Sequence, residues 1–117
     1  MEEFPKQKEF SVEEYKNLIE IKTVDTSKES VLDRTKVVSF FTFILTDKYD
    51  LYISTESHQN IASSAGIDWK DVVMSGFINI YDNGKVTTDS NERSYNTSEK
   101  INNLKKAIQV KIEEYVN

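Results

Sequence analysis

Residues 72–88 read VVMSGFINIYDNGKVTT. Val72 to Tyr81 is rich in β-branched and aromatic side chains, the composition of a strand that packs on a pleated surface. Asp82-Asn83-Gly84-Lys85 follows, and its Asn-Gly pair is the strongest short hairpin signal, because both central turn positions need positive φ. The return strand is expected over Lys85 to about Thr88. Gly76 interrupts the outgoing strand just before Phe77, which marks either a bulge or a place where another group approaches the backbone.

A second hairpin is expected earlier in the chain. Val37 to Thr46 is β-branched and aromatic, Asp47 to Asp50 is a polar break, and Leu51-Tyr-Ile-Ser-Thr55 returns. Strand alternation puts Phe41, Phe43 and Leu45 on one face and Val38, Phe40 and Ile44 on the other. A strand apolar on both faces is central, covered on both sides, or contributes its second face to an oligomer interface.

Helices fill the rest. Ser11 with Glu14 three residues on is a capping box, Phe10 and Tyr15 form a hydrophobic staple, and Tyr15, Leu18, Ile19 and Lys22 share the stripe of a short helix. Residues 23–36 are polar and mixed, and are expected to be a loop. Ser57 caps a short helix that Gly66 closes in the left-handed region, and Trp69 in the following turn is expected to lie as a lid on the core. Ile101, Leu104, Ala107, Ile108, Ile112 and Tyr115 trace the stripe of a long last helix, capped by Asn96, Thr97 or Ser98.

The expected fold class is therefore α+β: an antiparallel sheet of two β-hairpins, with a short middle helix and a long C-terminal helix packed against it. Residues 1–117 are read as a single domain, with residues 1–9 as a flexible lead-in.

Composition narrows the function classes. With 15 basic and 20 acidic residues the net charge is −5, with no basic cluster of the kind that a nucleic-acid polymer requires. Cysteine is absent, which excludes disulfides, thiolate nucleophiles and thiolate metal sites. No apolar run is long enough to span a bilayer and the N-terminus lacks a signal-peptide pattern, so a cytoplasmic location is expected.

Residues that could carry chemistry are few. His58 is the single imidazole, and no serine, cysteine or second histidine stands in an identifiable relation to it; a histidine at a helix start is the simpler reading. Asp68, Asp71, Asp82 and Asp89 match no metal-ligand spacing, so neither a metal nor another cofactor is expected. The start of the last helix is better suited to an anion: its unpaired N–H groups, the hydroxyls of Ser94, Thr97 and Ser98, and the Arg93 guanidinium could converge on a phosphate. The same hydroxyls equally serve as caps, with Arg93 pairing to Glu92 or Asp89.

Four motifs, HQNIASSAG (58–66), SGF (75–77), DNGK (82–85) and ERSY (92–95), carry a resemblance. The chain resembles small phage-encoded proteins of the Thoeris anti-defence sponge family, first type, in which H-x-x-[I/M]-A-x-x-x-G precedes Gly-Phe on a strand, a glycine turn and an E-x-S-like stretch. It differs in reading SNERSYNTS where that pattern has glycine, and in ending on a long helix. The resemblance implies a homo-oligomeric, non-catalytic protein of the host-cell cytoplasm. Such a protein sequesters cyclic ADP-ribose-type signals from bacterial TIR-domain immune proteins; related sponges capture cyclic dinucleotides. It further implies that Phe77 walls the base, that Arg93 and Ser94 contact phosphate, and that Asn79, Asn91 and Tyr95 bond ribose or base edge. The alternative is an acidic protein-interaction module, an immunity protein or a phage inhibitor of a host enzyme.

Overall fold

The computed structural model describes residues 10–24, 27–33, 35–92 and 98–117, and only the backbone of residues 27–29, 90–92 and 98. Residues 1–9, expected as a lead-in, lie outside this set.

Helix α1, Val12–Leu18, begins on the expected box: Glu14 N–H donates to Ser11 Oγ at 3.2 Å and Ser11 N–H to Glu14 Oε1 at 3.0 Å. Phe10 packs edge-on to Tyr15 with ring centres 5.3 Å apart, which fixes how the chain enters the helix. The helix ends at Leu18, short of Ile19 and Lys22 in the expected stripe, because Ile19 is already extended at ψ 128°. Tyr15 and Ile19 are buried, but Leu18 is 44% exposed and Lys22 is not helical.

Strand β1, Glu20–Thr23, follows at once, and helix α2, Ser27–Leu32, occupies part of the segment expected as a loop. Both are corrections with one physical cause. A four-residue strand with Ile21 as its sole apolar residue, and a six-residue helix in which, among the described side chains, Val31 alone is fully buried, carry too little local pattern and form on tertiary contact.

Strands β2, Val38–Thr46, and β3, Asp50–Ser54, form the first hairpin. Tyr49 closes it at φ 65°, with its N–H donating to Thr46 O at 3.0 Å. Helix α3, His58–Ala65, is capped by Ser57 and ended by Gly66 at φ 69°, the left-handed position that glycine adopts without steric cost. A short 3-10 turn, Trp69–Asp71, leaves Trp69 40% exposed rather than lying as a lid on the core.

Strands β4, Val72–Tyr81, and β5, Val86–Glu92, form the expected second hairpin, but its turn takes positive φ only at Gly84 (88°) and not at Asn83 as the Asn-Gly signal implies, because Gly84 N–H closes the turn onto Tyr81 O at 2.9 Å and Tyr81 N–H pairs with Lys85 O. β5 runs beyond the expected Thr88. Gly76 keeps regular register with Phe43 and Ser90, and the bulge lies instead at Leu45/Thr46.

The sheet order is β1-β3-β2-β4-β5. The two hairpins meet antiparallel through β2 and β4, but β1 pairs parallel to β3, so the sheet is mixed rather than antiparallel throughout. Parallel pairing joins strands distant in sequence, and no turn signal announces it. Helix α4, Ser98–Val116, lies with α1 across one face, where Leu104, Ala107, Ile108 and Ile112 bury Phe41, Phe43, Leu45, Met74, Ile78 and Ile80. Lys16 of α1 reaches Glu114 of α4 at 2.8 Å. Among the described residues no helix is long and apolar enough to cross a membrane.

Candidate functional site

The opposite face is only half covered. β2 turns Val38, Phe40, Thr42 and Ile44 to it, and β4 turns Ser75, Phe77, Asn79 and Tyr81. Helix α3 seals one end, where Ile61 and Ala62 bury Ile44 and Val72. Toward the start of β2 that helical cover ends.

At that end Phe40 and Phe77 stack, with ring centres 5.2 Å apart and planes 19° from parallel. They are diagonal neighbours, since Phe40 stands opposite Asn79 and Thr42 opposite Phe77. Phe40 is nevertheless 58% exposed. An apolar ring pair stacked in this way, with its outer member in water, presents a flat π surface.

Three polar groups border the pair. The His58 ring meets Phe77 edge-on at 5.2 Å, and its Nε2 lies 2.8 Å from Gly76 O. A carbonyl only accepts, so in this contact Nε2 carries the proton. Asn79 Nδ2 donates to Thr87 Oγ1 at 3.4 Å, which orients the amide along the strand pair and leaves its Oδ1 for another donor. Asp89 stands opposite Phe77 on β5, at the outer rim. On the same face beside the stack, the buried Thr42 hydroxyl donates to Ser54 O at 3.1 Å and contacts Glu56 O, tying β2 to the turn that launches α3.

Among the described residues the His58 ring contacts a carbonyl and a phenyl ring. Among the described residues no group of three or more His, Asp or Glu is arranged to hold a metal ion.

Of the residues expected to form the site, Phe77 and Asn79 share this face. Asn91 lies in β5 at the register position opposite Ser75. Arg93, Ser94 and Tyr95, and with them the expected anion clamp and Thr97, lie outside the described residues. The described turns of α4 pack under the other face of the sheet from Phe77. Sequence reasoning missed Phe40 as a partner of Phe77, although the doubly apolar pattern of β2 pointed to its face. It also missed that the imidazole of His58 and Phe77 would meet.

Compared with known proteins, the chain matches no family model, and no curated protein or solved structure is significantly similar to it.

Proposed function

We propose that the protein is a non-catalytic binder that sequesters a nucleotide-derived signal, a cyclic ADP-ribose isomer or a cyclic dinucleotide, on the half-open sheet face, and so counteracts bacterial anti-phage defence. One observation carries the reading: the Phe40–Phe77 stack, exposed at its outer ring and bordered by the Asn79 amide. A base stacked on such a surface is held by about 1–3 kcal/mol through the ring contact alone. The remaining affinity comes from phosphate contacts, which the resemblance assigns to Arg93 and Ser94, with Asn91 and Tyr95 at the ribose or base edge. A flat face encloses little of a ligand, which is why this function needs a homo-oligomer, whose second copy would cover the exposed side of the ligand.

The test is a thermal-shift panel of cyclic ADP-ribose isomers and cyclic dinucleotides. At least one raises the melting temperature, and the ligand is recovered chemically unchanged after heating. Phe40→Ala and Phe77→Ala each weaken that binding about 5- to 150-fold while leaving a folded protein. A panel without any shift removes the sponge reading; a ligand recovered hydrolysed replaces it with an enzyme.

A second reading has its own observation. Val37 is 74% exposed, and with Val38, Phe40 and Leu32 it adds exposed apolar surface near the start of β2, the composition of a protein-interaction module. It gains if the panel is silent and Phe40→Ser lowers the molecular mass measured by light scattering.

A further inference from the structure

β3 is shorter than the strand it pairs with. It ends at Ser54, opposite Thr42, so residues 38–41 of β2 have β4 on one side and no strand on the other. The register fixes where their backbone groups point. Asp82 N–H donates to Val37 O at 3.0 Å, so odd-numbered residues exchange hydrogen bonds with β4, and Val38 and Phe40 turn N–H and C=O to the vacated side. Among the described residues nothing bonds these groups there.

The vacancy is built into the turn. Ser54 Oγ accepts from Glu56 N–H at 2.9 Å and Thr42 holds the Ser54 and Glu56 carbonyls, so the chain swings away into α3. A groove of about 310 Å³ runs along the edge, lined by Ser30, Asp33, Lys36, Val38, Phe40 and Thr55.

We propose that this groove binds an extended peptide segment of another protein, added to the sheet antiparallel to β2 and in line with β3. A row of outward N–H and C=O groups is matched by another main chain, which offers the same alternation at strand spacing. Val38 and Phe40 supply an apolar shelf for alternate peptide side chains. Antiparallel addition puts the peptide C-terminus beside Lys36, which acts electrostatically on Asp33 across the same groove but, among the described residues, has no carboxylate within 4.0 Å. A free carboxylate at that end is the chemistry this ammonium selects. The inference does not depend on the ligand proposed for the Phe40–Phe77 platform.

The test is titration of ¹⁵N-labelled protein with a synthetic hexapeptide of alternating threonine and valine ending in a free carboxylate. The amides of Val38 and Phe40 shift and their hydrogen exchange slows, whereas Ser39 and Phe41 already exchange slowly. Amidating the peptide weakens binding by about fivefold, as loss of one partly exposed ion pair should, and Lys36→Gln removes that difference. Val38→Pro deletes a donor that faces the groove, not β4, and abolishes binding; N-methylation of the peptide residue facing Phe40 does the same with the protein unaltered. The proposal is overturned by shifts that map elsewhere, by no shift at millimolar peptide, or by full binding to the N-methylated form. Shifts at Val38 and Phe40 that depend on protein concentration alone would overturn it too, by making a second copy the occupant.

Discussion

The two faces of one sheet differ in what their aromatic residues do. On the face under α1 and α4, Phe43 is fully buried and Phe41 nearly so, whereas one residue away Phe40 is 58% exposed on the other face. The strand pattern treats the three alike; the helical cover separates them. Burying a phenylalanine side chain contributes about 1.5–3 kcal/mol, which Phe43 supplies to the fold and Phe40 largely does not. An apolar face that folding leaves open is available for recognition.

Substitutions can break or sharpen this contrast, and the largest effect belongs to the sealed face. Phe43→Ala leaves a cavity among Leu51, Ile53, Ile78 and the α4 stripe, and should cost about 3–5 kcal/mol in urea unfolding. Next comes the seal of the half-open face. Ile61→Ala removes the α3 anchor over Ile44, in a cluster of four buried residues of which Ile44 and Ile61 are fully enclosed, and should cost about 2–3 kcal/mol, with hydrogen exchange in α3 accelerating ahead of the rest. Phe40→Ala should change stability by less than about 1 kcal/mol yet weaken ligand binding at least about fivefold. Equal costs at Phe43 and Phe40 would abolish the distinction between the faces.

The smallest effect is electrostatic and lies at the groove beside β2. The Thr35 hydroxyl, and then its backbone N–H, bond Asp33 at 2.7 and 2.8 Å and hold that carboxyl below its ordinary value. A depressed carboxyl contributes stability above its unfolded value and loses it as pH falls through the folded one. Thr35→Val should therefore raise the Asp33 titration midpoint, read by carboxyl-carbon NMR, with at most a small fall in melting temperature at neutral pH that disappears in acid.

Much of the fold was legible where a local rule acts over a few residues. Ser11 and Glu14, Ser57 and Gly66, Asn83 and Gly84, and the α4 stripe each specify a cap, a turn or a face within one or two turns of chain. What escaped was non-local. β1 is held by Ile21 facing Leu51 across a parallel pair, and α2 by Val31 reaching the main core; neither shows in a window of a dozen residues. The site divides in the same way. Phe77 and Asn79 could be placed on one face by alternation within β4, but the rings of His58 and Phe40 reach Phe77 from elements 19 and 37 residues earlier in the chain. Only the register of β2 against β4, with Thr42 opposite Phe77, brings them together.

The central claim is that the half-covered face, not the sealed one, receives a nucleotide-derived ligand. The most direct measurement is an NMR titration of the protein with the cyclic ADP-ribose and cyclic dinucleotide panel, following ring signals of Phe40, Phe77 and His58 and the side-chain amide of Asn79. The account predicts that these signals move first and saturate together for at least one ligand, while Leu104, Ile108 and Ile112 methyls stay in place. Saturating shifts confined to α1 and α4, or no shift for any member of the panel, would contradict it.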